Sequence, residues 1–275
     1  MASAEVEETS MRFTETMTPE EETGVAQLAI EVQEQVDEYA PHALFCTKGT
    51  YLRYLRARQG NVHKAAKMLR DTLVWRESYK PHLITWADIE KEALLKKVTI
   101  LDAPDKGGRP IVLMLPRNEK QGSDNDLKVK FVVYVMERAS QIADASSPDG
   151  KMTWLLDFVG YSRQNQPPWR VSLSVLNMVQ NHYPERLGLA VNFKPPLLFE
   201  IFWKAIRPFV DSATRDKLVF LGGKDAEDGM VQVHMGKYFD LEMLDGPLGG
   251  VLAEGGMLPT EFHRRMQRMD KNVKA

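Results

Sequence analysis

The hydrophobic period of the chain, helical up to that point, changes at Val98, and this limits its possible folds more than any other feature. Before that point apolar residues recur at helical spacing: Val25, Leu28, Ala29, Val32 and Val36, then Tyr51, Leu52 and Leu55, then Ala65, Ala66, Met68, Leu69, Leu73 and Trp75. After it, short β-branched runs alternate with longer helical segments, the pattern of a largely parallel or mixed sheet covered by helices. An all-helical bundle and an all-β sandwich are both excluded.

The first half has readable punctuation. Thr18-Pro19-Glu20-Glu21 places a hydroxyl N-cap, a proline at the first helical position and a glutamate three residues after the cap, which is a capping box. Residues 1–17 read as an acidic tail. Gly60-Asn61 reads as the end of one helix and the cap of the next, so residues 18–97 are expected to form a helical module.

In the second half, strands are expected over 99–102, 110–115, 152–159, 187–193 and 218–221, with helices over 171–182 and 197–210. Residues 126–143 are ambiguous: Val129, Val132, Val133 and Val135 favour a strand, whereas an unbroken run without Gly or Pro favours a buried helix. Residues 98–255 are assigned to an α/β domain. The stretch after Gly222 is glycine-rich and loop-like, and 256–275 reads as a basic helix or tail containing Arg264, Arg265, Arg268, Lys271 and Lys274.

Composition narrows the function. With 27% charged and 43% hydrophobic residues, the chain has a core to bury, and a net charge of −2 gives no global attraction for nucleic acid. The single cysteine, Cys46, allows no internal disulfide and no cysteine-rich metal site. No stretch reaches the ~20 apolar residues of a membrane-spanning helix. Dinucleotide, phosphate-loop, nucleophile-elbow and zinc-protease signatures are absent, and Gly222-Gly223-Lys224 lacks the first glycine of a phosphate loop. Asp157, His182 and Glu185 are the only imaginable acid/base group, but Asp157 closes a strand and Glu185 lies in a turn after Pro184.

Two segments stand out. On a wheel of about 100° per residue, Glu200, Lys204 and Arg207 share a sector of about 60°, leaving an apolar arc that includes Phe199, Phe202, Trp203 and Phe209. Such a helix is either buried nearly all round, or has a cavity on one side and something apolar on the other. Prolines on both flanks set it off as a lid would be. The second segment is basic: Arg53, Arg56, Arg58, Lys64, Lys67 and Arg70 form either a solvated helix face or an anion site suited to phosphate.

These residues fall into a recognisable order. Tyr51-Leu52-Arg53-Tyr54-Leu55-Arg56-Ala57-Arg58, Asp105-Lys106-Gly107-Gly108-Arg109-Pro110, Leu155-Leu156-Asp157-Phe158-Val159-Gly160, His182-Tyr183-Pro184-Glu185-Arg186, Phe209-Val210-Asp211 with Thr214 and Lys217, and Gly249-Gly250 together resemble the CRAL-TRIO family of lipid carriers, over about residues 45–250. The resemblance implies a helical N-terminal module followed by an α/β/α domain whose mixed, mostly parallel sheet floors an apolar pocket, closed by a gating helix. Leu197, Leu198, Phe199, Phe202, Trp203, Ile206 and Phe209 match the gate.

The resemblance further implies that the headgroup of phosphatidylinositol is held by Arg58, Glu185, Thr214 and Lys217, with Asp105 and Pro110 matching the conserved turn. Phosphatidylcholine-binding members carry two small hydroxyl residues where this chain has Met152 and Trp154, so phosphatidylcholine is not expected to bind. The expected function is therefore a monomeric, non-enzymatic carrier or presenter of phosphatidylinositol or a related phospholipid. It would be cytoplasmic and transiently bound to a membrane surface, with a lipid kinase as a further partner and no cofactor, metal or nucleic acid. Alternatives are a carrier of a sterol, tocopherol or phosphatidic acid, or a lipid-sensing scaffold.

Overall fold

The computed structural model describes residues 16–122, 124–210, 212–227 and 229–273, so the tail expected over 1–17 falls almost wholly outside the described residues. The first helix, α1 (Pro19–Glu38), begins at the expected capping box, with Glu21 N donating to Thr18 Oγ1 at 3.2 Å and Thr18 N donating to Glu21 Oε2 at 3.0 Å. It is followed by α2 (Ala40–Phe45), α3 (Lys48–Arg56), α4 (Val62–Tyr79) and α5 (Trp86–Ala93). The periodic residues Leu28, Val32, Leu52, Leu55, Ala65, Leu69 and Leu73 form the core of this module. Helix α5 instead packs its Trp86 and Ile89 into the core of the α/β domain.

Five strands follow, β1 (Val98–Pro104), β2 (Pro110–Met114), β3 (Met152–Asp157), β4 (Leu187–Phe193) and β5 (Leu218–Leu221), and they lie in the sheet in chain order. β1 and β2 form an antiparallel hairpin; the remaining neighbours are parallel. Between them run α6 (Asn125–Ser146), α7 (Trp169–His182), α8 (Leu197–Ile206) and the short α9 (Ser212–Arg215). Parallel crossovers are almost always right-handed, so strands stepping steadily in one direction put every crossover helix on the same face.

That topology leaves the opposite face uncovered, and the glycine-rich segment covers it. Ile111, Leu113, Leu155, Val191 and Phe193 pack against Val231, Met235, Phe239, Leu244, Leu248 and Met257 from α10 (Met230–Met235) and the turns after it. The expected loop is therefore a third layer. Its Gly249-Gly250 pair fits this close packing: Gly249 has φ +82°, and a Cβ on Gly250 would lie 1.9 Å from the Leu244 carbonyl oxygen.

The ambiguous segment 126–143 is helix α6, and its buried residues, including Phe131, Val133, Tyr134, Val135, Met136 and Ala139, explain why no amphipathic period showed. The basic C-terminal segment is α11 (Phe262–Val273), docked by Met266 and by Asp270, which accepts from Arg138, Tyr134 Oη and Trp86 N. No described helix is long and apolar enough to cross a membrane.

Candidate ligand-binding cavity

Side chains alternate across a strand, so pairing register decides what faces the helices. Two rows cross the sheet on that side: Val112, Trp154, Ala190 and Leu218, then Met114, Leu156, Asn192 and Phe220. Above the second row stand Phe199 and Trp203 of α8, their rings 6.5 and 5.9 Å from that of Phe220, with Phe199 also 4.5 Å from Phe158. Between the rows and α7 and α8 lies an apolar cavity of about 350 Å³, walled by residues such as Val132, Val175, Leu198 and Ile206. A second cavity of about 490 Å³ shares Trp154, Leu156, Leu176, Val179, Phe199 and Ile206 with it and ends on polar side chains. Each volume lies within the ~300–1,000 Å³ typical of small-ligand sites.

Helix α8 is two-sided, as its wide apolar arc requires. Leu198, Phe199, Trp203 and Ile206 line the cavities, whereas Leu197 and Ile201 are 69% and 56% exposed on the outside. The side chains of Phe202 and Phe209, also expected in the gate, lie outside the described residues. The helix stops at Ile206 rather than running to Val210, passing into a tight turn over Arg207–Phe209, because Pro208 has no N–H to donate to the carbonyl four residues back and its ring crowds that carbonyl.

Four of the six residues expected to bind ligand meet at the polar end. Arg58, Glu185, Thr214 and Lys217 line the same cavity although they come from the α3–α4 turn, the α7–β4 turn and the segment before β5. Glu185 takes the left-handed conformation, φ +56°, uncommon for a residue with a Cβ. The neighbouring Arg186 fixes this turn, donating to Asp144 at 2.5 and 2.7 Å and to the Gly150 carbonyl at 2.8 Å. Strain held in this way is characteristic of binding turns. Lys217 Nζ lies 3.2 Å from Glu185 Oε2, and Lys151, which sequence reasoning missed, lies 3.7 Å from the same oxygen. Nothing in the sequence marked Lys151; only the start of β3 brings it there.

Asp105 and Pro110 are placed elsewhere. Asp105 is buried at the β1–β2 turn, accepting from Gly107 N, Arg109 N and, at 2.5 Å, the hydroxyl of Thr153. Thr153 has the opposite parity to Trp154, so this carboxylate locks the hairpin from the far face and does not line the cavity. Pro110 begins β2 and is buried. Met152 and Trp154 do line the polar-ended cavity, putting bulk on its wall.

The imagined acid/base group is dispersed. Asp157 pairs with Arg117 at 2.5 Å, and His182 stacks on Trp75 at 4.2 Å, its pKa pushed down to about 4 by burial and by Arg76. Beside the polar end, Arg76 holds Glu137 at 2.8 and 2.9 Å. Burial opposes ionisation of that carboxyl, yet Arg76 and Tyr183 keep it below its usual range. Burial, with Arg186 nearby, lowers Arg53 to about 9. The far end of the apolar cavity is bounded by Lys97, Glu119 and Lys128; Glu119 pairs with both lysines, and Lys97 also pairs with Glu92. No group of three or more potential metal-ligating side chains occurs among the described residues.

Comparison with known proteins agrees with this architecture. The family model for the CRAL/TRIO domain matches residues 95–250, and that for its N-terminal domain matches residues 24–71. The phosphatidylinositol transfer protein PDR17 of Saccharomyces cerevisiae is 35% identical over 187 residues, covering 62% of this chain and 51% of that protein. Protein real-time of Aedes aegypti is 30% identical over 240 residues, covering 78% of this chain and 36% of its own length. The chain thus spans about half or less of these relatives. The crystal structure of Sfh5 superposes with a TM-score of 0.64 at 18% identity, covering 95% of this chain and all of that one, a likeness of fold. With the family model matching more than half its length and every layer of the fold in place, the chain belongs to the CRAL/TRIO family of lipid-binding proteins.

Proposed function

We propose that this protein is a non-enzymatic carrier of phosphatidylinositol that encloses the lipid and exchanges it at membrane surfaces. The observation that carries this reading is the convergence of Arg58, Glu185, Thr214 and Lys217 at one end of an otherwise apolar cavity. Lys217 and Thr214 suit the phosphodiester, and Glu185 and Arg58 suit inositol hydroxyls, since a carboxylate accepts from hydroxyls and a guanidinium donates to them. PDR17, a relative, is by name a phosphatidylinositol transfer protein, which supports the same ligand.

A carrier must hide both tails. Exposing ~30 methylenes at ~0.8 kcal/mol each would cost on the order of 25 kcal/mol, so the lipid crosses water only inside a closed shell. Helix α8, apolar on both sides, would close that shell, opening when Leu197 and Ile201 meet the bilayer. In this reading the protein works at cytoplasmic membrane faces, visiting them transiently, and delivers lipid or presents it to a lipid kinase. Residues 18–97 would steady the headgroup end and 98–255 enclose the tails, with the segment from 256 onward buttressing α5 and α6.

Met152 and Trp154 leave no hydroxyls on the wall where phosphatidylcholine would need them, so choline lipid is a poor ligand. The test is transfer of labelled phosphatidylinositol and phosphatidylcholine between vesicles: the inositol lipid moves and the choline lipid does not. Equal transfer of both would refute the headgroup assignment.

A further inference from the structure

The basic run of the N-terminal module divides into two sets of residues in the structure. Arg53 donates to Thr50 and pairs with Asp144, Arg56 pairs with Glu21 at 2.6 Å, and Arg70 donates to Gln35 Oε1 and the Glu31 carbonyl. These three are structural. The other three, Arg58, Lys64 and Lys67, border one groove of about 400 Å³ between α4 and the end of α7. The groove adjoins the headgroup end of the cavity, with Arg58, Met68 and Asn181 lining both.

Charge in this region is unbalanced. Lys151 and Lys217 both face Glu185, the one carboxylate among the described residues lining the cavity, which Arg58 also lines, and behind the turn Arg53 and Arg186 share Asp144. In the groove, Lys67 is held by Asp71 at 2.8 Å, while neither Lys64 nor Arg58 has a carboxylate within ion-pair distance among the described residues. His182, which also borders the groove, is kept neutral by burial. A phosphodiester brings one negative charge, which leaves much of this excess unmatched. A phosphomonoester brings about −1.5 to −2 near neutral pH.

We propose that the groove of Arg58, Lys64 and Lys67 is a second anion subsite, which takes the phosphomonoester of a phosphorylated inositol headgroup while Lys217 holds the phosphodiester. The inference rests on the carrier reading for its first anchor point and adds a ligand class to it. Arg58, common to both concavities, would bridge inositol ring and phosphomonoester. Asp71 is the opposing element, since it ties up Lys67 and repels an incoming phosphate.

The test uses the full chain loaded with fluorescent phosphatidylinositol, challenged with vesicles containing phosphatidylinositol, its 3- or 4-phosphate, or phosphatidylserine. One monophosphate should displace the probe better than phosphatidylinositol does, by roughly five- to tenfold, as expected for two exposed charge contacts. The double variant Lys64→Gln with Lys67→Gln should abolish that advantage while leaving displacement by phosphatidylinositol unchanged, and Asp71→Asn should enlarge it. The inference is overturned if neither monophosphate outperforms phosphatidylinositol. It is equally overturned if the double variant weakens all anionic vesicles alike, since the lysines would then serve only general surface attraction. Removal of the advantage by inorganic phosphate at matched concentration would assign the groove to free phosphate and also overturn it. Failure of phosphatidylinositol itself to displace the probe would refute the carrier reading as well.

Discussion

Replacing Lys217 by alanine separates a headgroup contact from a structural one. In the free protein its ammonium lies 3.2 Å from Glu185, and both side chains are about one-fifth exposed. Removing it does not strand the carboxylate, because Lys151 stays 3.7 Å away. The stability cost is then about 1 kcal/mol, the upper end for a partly screened pair. For a chain of this size that lowers the melting temperature by about 2–4 °C. A charge-assisted hydrogen bond to the phosphodiester is worth about 1.5–3 kcal/mol, so affinity for phosphatidylinositol falls by roughly ten- to more than hundredfold. Lys217→Arg, which keeps the charge, recovers part of it. The assay pairs vesicle transfer of labelled phosphatidylinositol with a thermal melt of the same preparation. A folded variant with transfer within about twofold of the unaltered protein would refute the placement of the phosphodiester at Lys217.

Other perturbations address the gate, pH and the C-terminal helix. Leu197→Asp with Ile201→Asp, at positions 69% and 56% exposed, should leave the melting temperature unchanged yet cut vesicle transfer by at least about tenfold, because a charge enters the face proposed to meet the bilayer; undiminished transfer would remove α8 from membrane contact. Burial pushes His182 down to about 4 from the ordinary 6.5 of a histidine, so between these values the unfolded chain binds more protons and stability falls as pH drops. Melting temperatures should decline from pH 7 to 4.5 by an amount worth on the order of 1–3 kcal/mol, and His182→Gln should flatten that decline; an equally steep decline in the variant would contradict this. Arg138→Ala strips Asp270 of its buried guanidinium and should cost about 3–5 kcal/mol in urea denaturation, whereas a change under about 1 kcal/mol would show that α11 is not held there.

Local features of the fold could be read from the sequence, and long-range partnerships could not. The Thr18 cap, the helical period through Leu73 and the β-branched strands each depend on residues a few positions apart, and each lies in the structure where that spacing puts it. Helix α6 stayed ambiguous because burial on several sides erases the polar face that makes a helix visible. The third layer was hidden for a different reason: Val231, Met235, Phe239, Leu244 and Leu248 are carried on short turns with no constant period. At the site, the motif resemblance named Arg58, Glu185, Thr214 and Lys217, which line one cavity. It also swept in Asp105, whose partner Thr153 lies 48 positions away on the far face of the sheet. The six basic residues could not be sorted into structural and available ones either, since the partner of Arg53 is 91 positions distant.

Whether the cavity carries phosphatidylinositol is decided by identifying what fills it. The full chain, purified from a eukaryotic host whose membranes contain phosphatidylinositol, is weighed intact under native conditions and then extracted with organic solvent for lipid mass spectrometry. One phospholipid per chain is expected, with phosphatidylinositol, with or without phosphate on its ring, as the dominant species. Recovery of a sterol, of phosphatidylcholine as the main lipid, or of no lipid at all would contradict it.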